Sequence, residues 1–219
     1  MNKGIHDVLQ QIKLFFILYL ILLAACLVVK FLFSRPDIFF AVNSRHSDWA
    51  DSIEPYLTDL GNGWTIIIIS CIVALFNYRV AFLLATTYGV TSIVAQVIKH
   101  LVNAPRPKLF FNKQLSHIHF VKGVYIDTIG SFPSGHTVTA FSTALVVTYL
   151  CKNKYWGAPL LIVAILVGFS RMYLSEHFFE DVVGGSVIGV IISVIWLTWI
   201  DNKKFLHTPV WNRGLLKQH

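Results

Sequence analysis

Residues 14–33, LFFILYLILLAACLVVKFLF, form an apolar run of 20 residues that only Lys30 interrupts. As an α-helix, a run of this length reaches about 30 Å, which matches the hydrocarbon core of a bilayer. The run is too long for the apolar core of a signal peptide, and SRPD follows it where a cleavable signal would carry small residues. We therefore expect an uncleaved first membrane span.

Five further apolar runs follow the first one. They cover residues 64–76, 80–98, 137–151, 158–169 and 182–200. Only helices and closed barrels satisfy their own backbone groups in lipid, and runs joined by short hinges favour helices. The run at 64–76 is short, but LGNG at 60–63 indicates a turn ahead of it, and residues 34–63 suggest an interfacial helix. The sequence predicts an all-α fold, a polytopic membrane bundle of six transmembrane helices.

The composition of the whole chain agrees with a membrane protein. Of its 219 residues, 55% are hydrophobic and 13% are charged, and the mean hydropathy is +0.64, whereas soluble domains carry about 25% charged residues. We expect one integral membrane domain over residues 1–219. The formal net charge of +7 comes from basic residues between the apolar runs or in short loops. This distribution favours contact with the lipid bilayer or with phosphates, and it argues against a nucleic-acid partner.

The distribution of basic residues also bears on orientation. Six spans would place both termini on one side of the membrane. The 18 lysines and arginines then divide nine to nine between the two sides. If Lys99, Arg106 and Arg171 are held for chemistry, the division becomes nine to six and favours termini in the cytoplasm.

The three cysteines, Cys26, Cys71 and Cys151, lie in separate apolar runs. Their number is odd, and no Cys-x-x-Cys spacing occurs in the sequence. This pattern predicts neither a disulfide framework nor a zinc site.

Three basic residues near the ends of spans are candidates for an anion site. Lys99 and Arg106 belong to KHLVNAPRP, whose prolines stop the preceding helix, and Arg171 follows the run at 158–169. An unpaired charge near the membrane interior costs at least a few kcal/mol, so three converging cations require an anion. The planar fork of arginine suits phosphate oxygens, and lysine supplies a point charge.

Two histidines stand beside these cations. His136 ends the string PSGH at the start of the apolar run at 137–151, where Ser134 and Gly135 precede free helix amides that attract an anion. His177 and Asp181 are four residues apart, hence on one face of a regular helix, and a carboxylate beside an imidazole fixes its tautomer. Two histidines and three cations indicate phosphoryl transfer without a metal.

Each pattern also has an ordinary structural interpretation. A His-x-x-x-Asp pair is usually a structural hydrogen bond, a lysine at the end of a span usually extends to the headgroups, and PSGH suits a plain helix start. Their occurrence in this order on one predicted face favours a catalytic site.

Together the motifs resemble the three signatures of the phosphatidic acid phosphatase type 2 superfamily, which includes lipid phosphate phosphatases and soluble vanadium haloperoxidases. The match lies within residues 99–181. It consists of K-x6-R-P at Lys99, Arg106 and Pro107, P-S-G-H at 133–136, and S-R-x5-H-x3-D at Ser170, Arg171, His177 and Asp181.

The resemblance implies a role for each matched residue. His177 attacks phosphorus to form a phosphohistidine, Asp181 orients it, and His136 protonates the leaving alkoxide and then activates water. The phosphate oxygens are held by Lys99, Arg106, Ser134, Gly135 and Arg171. The resemblance also implies no metal or other cofactor, and a site facing the periplasm or exterior of a bacterial inner membrane.

We expect the protein to be a phosphatase of an envelope lipid. Candidate substrates are lipid A-type phosphates, polyprenyl diphosphate, phosphatidylglycerol phosphate and phosphatidic acid. A phosphotransferase that passes the phosphoryl group to an alcohol is the alternative enzyme, and the sequence leaves the two open, together with the oligomeric state. A soluble haloperoxidase would not need six spans. An anion transporter predicts charges throughout the bilayer depth, whereas the cations here cluster at one end of the spans.

The segment between His177 and Asp181 reads FFE. Phe178 and Phe179 suit either a lipid-facing entrance or ordinary core packing. For Glu180 we expect a solvated charge without a catalytic role.

Overall fold

A computed structural model describes residues 3–216, so Lys217, one of the cations counted above, lies outside it. The described chain is helical, as predicted, and contains no β-strand. Its α-helices are α1 (Ile5–Gln11), α2 (Lys13–Leu32), α3 (Arg35–Asn43), α4 (Asp48–Asp59), α5 (Gly63–Ala74), α6 (Tyr78–Val102), α7 (Pro107–Phe110), α8 (Gly135–Leu150), α9 (Gly157–Tyr173) and α10 (Phe179–Ile200).

Four helical segments are long and apolar enough to cross a membrane: Lys13–Leu32, Tyr78–Val102, Lys154–Tyr173 and Phe179–Ile200. A fifth crossing is available if α4 and α5, which meet at an angle of 54°, form one broken span. Helix α8 has 16 residues, a length of about 24 Å against a hydrocarbon core of about 30 Å. Length and composition therefore support four or five spans, and they leave the sixth of the predicted spans without confirmation.

The break between α4 and α5 explains the short apolar run at 64–76. Residues 34–63 form two helices, α3 and α4, instead of a single interfacial helix, and Asn62 caps α5 by accepting a hydrogen bond from the Trp64 amide at 3.1 Å. A Cβ atom on Gly61 would lie 2.7 Å from the carbonyl oxygen of His136. The absence of a side chain therefore lets the break rest against the start of α8.

Helix α8 lies at the centre of the bundle and packs closely on α10. A Cβ atom on Gly185 would lie 2.7 Å from the carbonyl oxygen of Ser134, and one on Gly189 would lie 2.7 Å from that of Val138. Small residues allow helix backbones in membranes to approach in this way. The contact holds the first turn of α8 against the first turns of α10.

The other end of the bundle is organised around Asp201, whose side chain is 1% exposed. Lys3, Arg79 and Tyr149 donate hydrogen bonds to its carboxylate at 2.7, 2.6 and 2.6 Å. Burial alone would raise the pKa of Asp201, but the hydrogen bonds from these three residues lower it overall. The Lys3 contact joins the segment before α1 to the residue that follows α10.

We expect Gly185→Ala to reduce thermal stability because the new methyl group would collide with the backbone of α8. Overpacking of this kind costs about 1–3 kcal/mol. Gly89→Ala in α6 is the matched control, since no atom lies within 4 Å of its added Cβ. The measurement is thermal unfolding of both variants in detergent, followed by tryptophan fluorescence. Equal midpoints for the two variants would contradict the close contact.

Candidate active site

The predicted site residues meet at one end of the bundle, around a cavity of about 530 Å³. The ends of α4, α6 and α9 and the start of α8 contribute to its walls, together with the segments before α8 and α10. Six of the eight predicted residues line the cavity: Lys99, Arg106, Gly135, His136, Arg171 and His177. The other two, Ser134 and Asp181, are buried directly behind it.

Arg106 is placed by the loop that follows α6. The helix ends at Asn103, which adopts the left-handed conformation with φ of 42°, and the chain then turns back. The Arg106 amide donates to Thr128 O at 2.8 Å, and its Nε donates to Ile129 O at 3.1 Å. These bonds fix a guanidinium group that is nearly inaccessible to solvent.

Lys99 lies in the last turn of α6 and is half-buried. Its side chain passes over Gly130, where an added Cβ would lie 3.3 Å from the lysine Cδ and where φ is +67°. Within residues 3–216 the ammonium group makes neither a hydrogen bond nor an ion pair by the usual distance limits. Its charge is therefore available to an anion in the cavity.

Arg171 lies in the last turn of α9 and donates from Nη1 to Thr58 Oγ1 at 2.8 Å. This contact ties the cation site to α4, an element that the motifs do not include. The buried Nε of Arg171 has no hydrogen-bond partner among the described residues. After α9 the chain reverses at Ser175, which has φ of 59°.

His177 and Asp181 do not share a regular helix, which is the condition that a shared helix face required. His177 precedes α10, and Asp181 reaches back from the first turn to accept a hydrogen bond from the Phe178 amide at 2.8 Å. The distance from His177 Nδ1 to Asp181 Oδ2 is 3.6 Å, which is longer than a hydrogen bond. The Ser131 hydroxyl donates to the same Oδ2 at 2.5 Å. The proximity therefore arises from a helix cap.

His177 is 2% exposed. Burial lowers its pKa well below the ordinary value, and the nearby cations, Arg171 first, lower it further. The imidazole is consequently neutral at physiological pH, the state in which a ring nitrogen can attack.

Ser134 and Gly135 begin α8 in the manner that the sequence predicted. Ser134 is the N-cap residue, and its Oγ accepts hydrogen bonds from the amide and the hydroxyl of Thr137 at 3.4 and 2.9 Å. No atom lies within 4 Å of the position that a Cβ on Gly135 would occupy. The first turn of α8 therefore faces the cavity with open space above its backbone.

Glu176 is a site residue that sequence reasoning missed. Its side chain is 5% exposed, and its Oε2 contacts Nη1 of Arg106 and lies 3.5 Å from Nη2 of Arg171. Burial raises the pKa of this carboxyl above its ordinary value, although the charges of Arg171 and Arg106 oppose the shift. Glu176 occupies one of the five unspecified positions in the spacing S-R-x5-H. The only sequence signal for it was an acidic residue next to His177.

The expectation of a solvated Glu180 is wrong. Its side chain is 19% exposed and pairs with Arg35 and, at 3.4 Å, with Lys30. Phe178 is buried in an aromatic cluster, with the Arg35 guanidinium 4.6 Å from its ring centroid, which agrees with core packing. Phe179 is half-buried beside a small apolar cavity between α2, α8, α9 and α10.

Known proteins resemble this chain in sequence and in fold. Residues 80–205 match the PAP2 superfamily. Undecaprenyl-diphosphatase BcrC of Bacillus subtilis is 28% identical over 169 residues, which cover 75% of this chain and 83% of that protein. The crystal structure of Aquifex aeolicus LpxE superposes with a TM-score of 0.67 at 25% identity, covering 76% of this chain and 97% of that one.

A second solved structure extends the likeness in fold. It is the transmembrane PAP2-type phosphatidylglycerolphosphate phosphatase of Bacillus subtilis, with a TM-score of 0.61 and 24% identity. The superposition covers 89% of this chain and 98% of that one.

Proposed function

The chain belongs to the PAP2 superfamily, and from this premise we propose that it is an integral membrane phosphatase that hydrolyses a phosphate monoester or diphosphate on an envelope lipid. The observation that carries the proposal is the convergence of Lys99, Arg106, Arg171 and two histidines on one cavity. Three cations and two imidazoles suit a phosphate and its transfer, with no other reacting group required.

The cations and the start of α8 form the phosphate site of the proposed enzyme. Lys99, Arg106 and Arg171 neutralise the charge that spreads over the phosphoryl oxygens in the transition state. The backbone of Ser134 and Gly135 adds the positive end of the helix dipole. Because these groups are held by the fold before substrate arrives, they need little rearrangement during the reaction.

In the first step a ring nitrogen of His177 attacks phosphorus, and an N–P bond forms as the bond to the leaving oxygen breaks. His136, which takes up a proton when the anionic phosphate binds beside it, donates that proton to the leaving oxygen. In the second step His136 accepts a proton from water, whose oxygen attacks phosphorus and breaks the N–P bond to release phosphate. Asp181 is a positioning residue, held by Ser131 and the Phe178 amide.

A neighbouring groove supports a lipid substrate. It measures about 540 Å³ and is lined mainly by apolar side chains of α2, α3, α4 and α9, including Val29, Phe33 and Phe169. Because α4 and α9 also line the phosphate cavity, a headgroup in the cavity would leave its apolar chains close to this groove. Each candidate substrate has a phosphate headgroup and apolar chains. The candidates are polyprenyl diphosphate, lipid A-type phosphates, phosphatidylglycerol phosphate and phosphatidic acid.

A phosphate-release assay on those four lipid classes tests the proposal. We expect the purified protein in detergent to release phosphate from at least one of them, and to do so equally well in EDTA, because cations of the protein take the part of a metal. Loss of activity in EDTA that a divalent ion restores would contradict metal independence. Transfer of the phosphoryl group to an added alcohol instead of water would identify a phosphotransferase.

Substitutions of the two histidines should have different consequences. His177→Ala removes the nucleophile, so we expect no covalent phosphoenzyme with any substrate. His136→Ala removes proton transfer, a step worth about 10²–10⁴ in rate, and the loss should shrink with p-nitrophenyl phosphate, whose leaving group needs no proton. The loss of activity in Asp181→Asn should lie between the losses in His136→Ala and His177→Ala, because the imidazole of His177 remains but is less well oriented.

The measurement is rapid-quench trapping of acid-labile phosphohistidine in each variant. Trapping in His177→Ala together with none in His136→Ala would reverse the two assignments.

We further propose six spans in a bacterial inner membrane, with one catalytic domain over residues 1–219 and a site that faces the periplasm or exterior. Under this topology α8 crosses the membrane despite its 16 residues. Reporter fusions after Lys152 and Lys203 should report the cytoplasm, and a fusion after Lys113 should report the exterior. The same location for the fusions after Lys113 and Lys152 would show that α8 does not cross.

A further inference from the structure

The phosphate cavity already contains an anionic group of the protein. Glu176 lies between the two arginines, with its side chain 5% exposed, and contacts Arg106 while lying 3.5 Å from Arg171. Its position is fixed by the chain reversal after α9, since its amide donates to Arg171 O at 3.1 Å. A single carboxylate oxygen thus occupies the space where two guanidinium groups converge.

The remaining contacts of the arginines use some of their other donors, while the buried Nε of Arg171 has no hydrogen-bond partner among the described residues. Arg106 uses Nε for Ile129 O, and its Nη2 lies 3.3 Å from the half-exposed Asp127. Arg171 uses Nη1 for Thr58 Oγ1. Nη1 of Arg106 and Nη2 of Arg171 are the donors that converge on one point, and that point is Oε2 of Glu176. A phosphate oxygen that bridges the two arginines at this point therefore meets the Glu176 carboxylate.

From this arrangement we propose that Glu176 is a built-in competitor for the substrate phosphate. It holds Arg106 and Arg171 in the empty site, and it gives up its ion pairs or takes up a proton when a phosphate binds. The inference rests on the proposed function, because it concerns the same phosphate site. It makes anion binding dependent on pH through a residue that takes no part in the chemical steps.

The direction of the pH dependence follows from the charges around Glu176. A protonated Glu176 is neutral and no longer competes, so anion affinity should rise as the pH falls through its pKa, which burial raises. The charged or titratable groups that face it are Arg171 of α9, Lys99 of α6, His136 of α8, Asp59 of α4, and Arg106, Asp127 and His177 of the loops. Because other titratable groups face the same cavity, the contribution of Glu176 must be isolated by substitution.

Glu176→Gln keeps the shape of the side chain and removes its charge. The probe is sulfate, which stays doubly charged between pH 5.5 and 8, and its affinity is measured by titration calorimetry of the full-length protein in detergent. At pH 8 we expect the variant to bind sulfate about tenfold more tightly, the scale of one charge-assisted hydrogen bond. The ratio should be smaller at pH 5.5 than at pH 8, because the wild-type carboxyl is more often protonated at the lower pH.

Glu180→Gln is the matched control. It removes the other glutamate of the same segment, which pairs with Arg35 and Lys30 and does not line the cavity. Its sulfate affinity should equal that of the wild type at both pH values. Thermal unfolding checks that each variant is folded, and Glu176→Ala replaces the glutamine variant if that one does not fold.

Equal affinity of wild type and Glu176→Gln, weaker binding by the variant, or no binding by either would overturn the inference. Release of lipid phosphate without an effect of Glu176→Gln on sulfate affinity would support the proposed function and contradict the role of Glu176 as a competitor. Tighter sulfate binding by Glu176→Gln without release of lipid phosphate would support the role of Glu176 as a competitor and contradict the proposed function.

Discussion

The close contact between the start of α8 and the start of α10 is the constraint on which the site depends. The Ser134 amide donates to Asp181 O at 3.0 Å, and Gly185 leaves room for the Ser134 carbonyl. Because this contact joins two backbones directly, the relative position of His136 and His177 does not depend on flexible side chains. The histidine at the mouth of an apolar helix is thus held where a phosphate on that helix end would meet the second histidine.

The cavity concentrates positive charge at one end of a largely apolar bundle, and this charge determines its chemistry. Three cations that converge in a partly buried site are unfavourable unless an anion accompanies them. In the empty protein Glu176 supplies part of that negative charge, and in the proposed reaction the phosphate supplies it. The same electrostatic requirement therefore accounts for the position of Glu176 and for the phosphate site that we propose.

The two ends of the bundle use buried carboxylates differently. At the far end, Asp201 receives hydrogen bonds from Lys3, Arg79 and Tyr149, which joins the segment before α1 and the end of α10 to α6 and α8. At the site, Asp181 is satisfied by Ser131 and a backbone amide, and it reaches His177 only at 3.6 Å. The far end is thus fully paired, whereas the site keeps groups such as Lys99 available for a ligand.

The amino-acid sequence by itself determined the class of the protein and most of the candidate site. Apolar runs and short motifs are local properties, so they predicted the helical membrane fold and six of the residues that line the cavity. Only the tertiary structure decided the place of Glu176, the support of Asp181 by Ser131, and the pairing of Glu180 with Arg35. These contacts join residues 70, 50 and 145 positions apart in the chain. Their formation depends on how the helices pack, which no local pattern specifies.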